Sequence, residues 1–173
     1  MLKTDLPIFM KKHFIQKYIF TFFLLITFFS KANSEVIARV IKIEGRAQLR
    51  SLSNDYFNEI VRPGLPIKNG DAIKVNEKGF CIIIYVDDKS VVKIRENTQF
   101  EFLDTQNTRT IELKYGTILN SVNSLKNIKT FRVQTPVSVA SVKGTEFAAT
   151  SMQNGIDQFV CKEGSFEVLN MTS

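Results

Sequence analysis

The sequence predicts an all-β domain, a sandwich, roll or short solenoid of about a dozen short strands, behind an N-terminal signal sequence. Three observations predict it. Apolar and polar residues alternate with period two along most of the chain, as they do when successive side chains point to opposite faces of a sheet. Turn-forming residues separate the runs at Pro63-Gly64, Asn69-Gly70, Gly79, Gly116, Gly144, Asn154-Gly155 and Gly164. No helical stripe of useful length follows Ser34. The glycine spacing is irregular, so a strict repeat is not supported.

Residues 1–34 read as an export signal. Lys11, Lys12, His13 and Lys17 precede an apolar run from Tyr18 to Phe29, and Ser30-Lys31-Ala32-Asn33-Ser34 supplies small residues for cleavage after Ala32 or Ser34. A bilayer span needs about 20 apolar residues, so this run is short for a permanent helix. Cleavage is expected, with an uncleaved inner-membrane anchor as the alternative. Met10 would serve as a start as well as Met1, and the absence of a Cys near the cleavage site argues against a lipoprotein. The mature domain, residues 35–173, is expected in the periplasm, meeting the membrane only during export.

An opening strand runs up to Gly45, and Ser51 to Arg62 is ambiguous, a loop or one helical turn. Phe80 to Val86 is apolar throughout and reads as a central strand covered on both faces. Val92 and Ile94 face inward, then Phe100 and Phe102, with Arg95 to Thr98 between them as a hairpin loop. Ile111 and Leu113 alternate with Glu112 and Lys114, and Phe131 and Val133 with Arg132 and Gln134. Towards the end, Phe159 and Cys161, then Phe166 and Val168, occupy inward positions.

Thr135 to Thr150 is the most informative stretch. Pro136 has a fixed φ and no ladder donor, so it belongs at a strand start or edge. Val137, Val139 and Ser141 lie on one face, Ser138, Ala140 and Val142 on the other, which suits a strand covered on both sides. Gly144 permits a φ > 0 turn, after which Phe147 points inward and Glu146 outward. The block is either the sharpest corner of the core or, through Lys143, Thr145 and Glu146, part of a contact surface.

Composition excludes several function classes. The chain holds 23 Lys+Arg against 17 Asp+Glu, but residues 1–34 contain five of those bases and one acid, leaving 18 against 16. That balance, interleaved along the chain, is the look of a solvated surface and not of a nucleic-acid footprint. The single His is His13 in the leader, so the mature domain lacks Ser-His-Asp and Cys-His catalysis and His-ligated metal sites. Cys81 and Cys161 are a candidate disulfide in an oxidising compartment, closing a loop of about 80 residues and worth about 4 kcal/mol, or are two core thiols. Asp87-Asp88 and Asp71 read as turn-initiating residues, without the alternating pattern of a calcium loop. Lys143-Gly144-Thr145 lacks the upstream glycine and downstream helix of a P-loop. No cofactor and no metal are implied, and the chain is not read as an enzyme.

Val142-Lys-Gly-Thr-Glu-Phe147 resembles the hallmark of the FecR domain, and the order of other features is similar. Ile43-Glu44-Gly45 resembles an early x-G-x-V element, and Asn69-Gly70-Asp71-Ala72-Ile73 resembles the end of a family segment ending G-D-x-I. Val86-Asp87-Asp88-Lys89-Ser90 resembles x-D-G-S, and Leu113 to Leu119 resembles L-x-x-G-x-L. The resemblance spans roughly Val36 to Leu169, with Lys89 in place of a common Gly and Lys143 in place of a common Arg. The regulators that give the family its name carry a cytoplasmic anti-sigma segment before a transmembrane helix. Here only a short charged stretch precedes the apolar run, so the chain resembles the exported half alone. The resemblance implies a non-enzymatic envelope protein whose β domain binds a protein or polymer partner in envelope signalling. The alternative is a structural or scaffold subunit of the envelope with no regulatory role.

Overall fold

A computed structural model describes residues 35–123, 130–142 and 144–171; the expected signal segment, residues 1–34, and Lys143 lie outside the described residues. The described chain is all-β, with fourteen strands where about a dozen were expected. They are β1 (Val36–Glu44), β2 (Ala47–Arg50), β3 (Glu59–Ile60), β4 (Pro66–Lys68), β5 (Ala72–Val75), β6 (Phe80–Tyr85) and β7 (Val91–Ile94). Then come β8 (Thr98–Asp104), β9 (Thr108–Ser121), β10 (Thr130–Gln134), β11 (Ser138–Val142), β12 (Glu146–Ser151), β13 (Asp157–Glu163) and β14 (Phe166–Asn170).

All fourteen belong to one continuous sheet that curls upon itself at β9. One layer runs β4-β1-β6-β7, continues through the C-terminal half of β9, and ends β12-β13. The other runs β3-β2-β5-β8, continues through the N-terminal half of β9, and ends β10-β11-β14. Pairing is antiparallel except between β9 and β10. The fold is thus a two-layer roll in which one strand serves both layers.

Gly116 makes that sharing feasible. It sits at the bend of β9 with φ +99°, a conformation that side-chain-bearing residues rarely adopt. A Cβ there would collide with Thr98 Oγ1 and Cα and lie 2.6 Å from the Asn97 carbonyl oxygen. Thr98 uses the close approach, its hydroxyl accepting the Thr117 N–H at 3.0 Å.

Inside the roll, aromatic rings meet alternately from the two layers. Tyr85 of β6 contacts Phe102 of β8 at 6.2 Å and Phe131 of β10 at 6.3 Å, both edge to face. Phe131 meets Phe147 of β12 at 6.2 Å, Phe147 meets Phe166 of β14 at 6.2 Å, and Phe166 meets Phe159 of β13 at 6.2 Å. Such pairs add about 0.5–1.5 kcal/mol each beyond their area burial. Ile73, Ile83, Ile94, Ile111, Leu113 and Ile118 fill the space around them and are fully buried.

Several expectations need correction. Arg95–Asn97 is not a hairpin loop: β7 pairs with β6 and β9 while β8 pairs with β5 and β9, so this link carries the chain from one layer to the other. The Gly144 corner does the same between β11 and β12, and its φ of +62° is the left-handed turn expected of it. Ser51–Arg62 contains no helix, only the two-residue β3. β6 is central, but Phe80, Ile82 and Ile84 on its outer face are half-buried and not fully covered. Pro136 lies in the turn before β11.

Replacing Gly116 by Ala should cost at least about 2 kcal/mol, from backbone strain together with overpacking against Thr98. A thermal melt shows this as a clear drop in Tm. A variant melting within about a degree of wild type would show that β9 does not bend there as described.

Candidate functional site

The corner singled out in the sequence lies where β11 hands over to β12. Lys143 is outside the described residues. Thr145 is only 2% exposed, its hydroxyl donating to the Ser165 carbonyl at 3.1 Å and its carbonyl accepting from the Val122 N–H at 3.0 Å. It serves the interior of the corner and presents no contact surface, which corrects the expectation. Glu146 is half-exposed and pairs with Lys162 of β13 at 2.9 Å. The hydrogen bond from Lys162 to Glu146, and then the carboxylate's charge, hold the Lys162 ammonium above its ordinary value.

That ion pair forms one rim of a shallow groove on the outer face of the layer. Val91 of β7, Leu119 of β9, Ala148 of β12 and Val160 of β13 floor it, and Lys93 and Ser121 stand on the far side. Its volume is about 130 Å³. The floor is built by alternation: on each strand the neighbouring residues face the core, as Val92, Asn120 and Phe147 do.

Cys81 and Cys161 are both free thiols, so the candidate disulfide is not formed in this structure. Cys81 is buried on β6, where desolvation pushes its thiol up to about 12, the profile of an inert core residue. Cys161 is exposed near the end of β13, its thiol directed at the Glu163 and Gly164 carbonyls at 3.5 and 3.4 Å.

A polar cluster that the sequence reading did not find is organised by Arg109. Its side chain, 3% exposed, reaches Asp87 at 2.6 Å, Asp88 at 2.6 Å and Asp104 at 3.3 Å. Its guanidinium lies 3.7 Å from the centre of the Tyr85 ring. Asp87 and Asp88 also make the expected turn, Asp87 accepting from the Asp88 N–H and Asp88 from the Ser90 N–H, both at 2.8 Å. Burial works against ionisation of Asp87, but the Asp88 N–H and the Arg109 charge outweigh it and hold the carboxyl below its ordinary value. Burial first, then the negative charge of Asp104, pushes the Tyr85 phenol well above its ordinary value. The cluster clamps the β6–β7 turn to the β8–β9 turn. Its signal was present: Arg109 has the inward parity of Ile111 and Leu113.

The FecR protein family's sequence profile matches residues 72–166, more than half of the chain. The chain belongs to the FecR family. FecR domains are associated with envelope signalling in general, are typically periplasmic, and form a regulatory family not known for enzymatic activity. The match starts at β5 and ends on the first residue of β14, so β1 to β4 of the roll precede it. Neither a curated protein nor a solved structure matches the chain. Among the described residues no helix is long and apolar enough to cross a membrane, and no cluster of His, Cys, Asp or Glu is arranged to hold a metal ion.

Arg109→Met should destabilise the FecR domain by about 3–5 kcal/mol, because it takes their shared cation from the partly buried Asp88 and the nearly buried Asp104 side chain. The sign of the pH dependence follows from Asp87: a depressed carboxyl contributes stability above its ordinary value of 3.8 and loses it as pH falls below. The stability gap between wild type and variant in denaturant titrations should therefore narrow in acid. A gap that is small at neutral pH, or that widens in acid, would contradict the clamp.

Proposed function

We propose that this FecR-family chain is an exported, non-enzymatic protein that binds a protein or polymer partner in the cell envelope as part of envelope signalling. Residues 1–34 direct export and are removed. The observation that carries the binding reading is the groove beside the Glu146–Lys162 pair. Pockets for whole small molecules run to about 300–1,000 Å³. A groove of about 130 Å³ suits one anchoring side chain or substituent of a larger partner. Its apolar floor supplies burial, and the charged rim of Lys93, Glu146 and Lys162 supplies orientation.

The experiment expresses the full-length chain with its own leader, measures the intact mass of the envelope form, and cross-links it in situ. Captured partners are then identified by mass spectrometry and compared with those of Glu146→Lys and Lys143→Glu. The expected result is a mass lacking the leader, a defined partner for wild type, and a severalfold lower yield for the variants at unchanged melting temperature. Full-length mass in the inner-membrane fraction would favour the uncleaved anchor. Equal yields from both variants would make the corner purely structural. Capture of the chain's own copies alone would favour the scaffold reading, and turnover of an envelope substrate would end the non-enzymatic one.

A further inference from the structure

The two ends of the roll are built differently. At one end the edge strands are β3, with two residues, and β4, with three residues beginning at Pro66. Very short strands and an edge proline are devices that keep other strands from adding. At the other end the edge strands are β13, with seven residues, and β14, with five. Among the described residues β13 pairs only with β12 and β14 only with β11, and neither contains proline.

Their open sides can be identified. The Met152 N–H bonds the Ile156 carbonyl at 2.9 Å and fixes the phase of the β12–β13 ladder. Hydrogen-bonded pairs alternate along an antiparallel ladder, so Gln158 and Val160 bond to β12. Phe159 and Cys161 direct their N–H and C=O groups to the free edge. The Met171 N–H bond to the Val137 carbonyl at 2.8 Å fixes β14 in the same way, leaving those of Phe166 and Val168 outward.

The core-facing side chains at this end of both layers are under-covered. Phe147 and Ala149 on β12, and Ala140 and Val142 on β11, are 3% exposed or less. Their counterparts one strand further out are not: Phe159 and Phe166 are half-buried, Cys161 is exposed and Val168 is 42% exposed. The chain of aromatic contacts ends at this open face. The exposed charge there is one-sided: Glu163 and Glu167 are both acidic and the base of β13, Lys162, is already paired with Glu146, while the Asp157 carboxylate turns inward to the Thr135 hydroxyl.

We infer that β13 and β14 form a docking edge for an extended segment of a partner protein, one that alternates apolar with basic residues and adds to β13 as a further strand. This rests on the binding reading above and adds a second surface beside its groove. A second copy fits less well. Antiparallel self-pairing of β13 centred on Val160 sets Asp157 of each copy opposite Glu163 of the other, and like charges directly opposite are destabilising. Main-chain bonds from Phe159 and Cys161 supply the attachment, and the apolar side chains complete the core layer.

The test uses the exported chain and a short blocked peptide alternating lysine with valine, beside its glutamate–valine counterpart, followed by NMR. The lysine peptide should slow amide exchange at Phe159 and Cys161 by about tenfold or more, the glutamate peptide much less. Cys161→Pro removes an edge N–H but no bond to β12, so it should abolish the effect at a near-unchanged melting temperature. Glu163→Lys with Glu167→Lys should reverse the peptide preference, and this variant decides the matter alone if Cys161→Pro does not fold. Unslowed exchange at Phe159 and Cys161, or Cys161→Pro responding as wild type, overturns the inference. So does protection that rises with protein concentration without peptide, which assigns the edge to a second copy. If the envelope partner is captured equally by Cys161→Pro, the edge fails and the binding reading stands. If wild type captures no partner at all, both fail.

Discussion

Both layers of the roll depend on β9, because its N-terminal half pairs with β8 and β10 and its C-terminal half with β7 and β12. A strand can serve two facing layers only if it bends sharply without breaking its ladders. Gly116 provides the bend, and Thr98 packs against it so closely that a side chain has no room. The layer crossings at Arg95–Asn97 and Gly144 then place successive strands on alternate sides of the same core. The interior is consequently a single column of rings, passing from Tyr85 through Phe131 and Phe147 to Phe166 and Phe159.

Arg109 closes this column at its loop end. A buried guanidinium is tolerable only where its charge is matched, and here three carboxylates and the Tyr85 ring surround it. Asp87 and Asp88 thereby do two things at once, turning the chain after β6 and neutralising a cation carried on β9. Removing either carboxylate is expected to be milder than removing the arginine, which all of them share.

The strands and their inward faces were legible because period-two alternation is local. Phe100, Phe102, Ile111, Leu113, Phe131, Val133 and Phe147 are all buried as their parity predicts. Gly144 was legible because a residue without Cβ between two apolar runs has few other uses. Partner choice was not legible. The same alternation continues whether Arg95–Asn97 folds back as a hairpin or crosses to the other layer, and that outcome is decided by long-range pairing with β9. Two further residues carried a signal that went unused: Thr145 shares the inward parity of Phe147, and Arg109 that of Ile111. Cys161 has inward parity as well, yet is exposed, because β13 is an edge strand among the described residues.

Among the described residues the end of the roll at β13 and β14 is the less covered one, while β9 and its neighbours tie the two layers together. Native-state hydrogen exchange of the chain tests this division most directly. Amides of Ile111, Leu113 and Ile118 on β9 should exchange only through global unfolding. Those of Gln158 and Val160, bonded to β12 on the edge strand β13, should exchange through a local opening of clearly lower free energy and weaker denaturant dependence. Equal protection in β9 and β13, or earlier exchange in β9, would contradict the account.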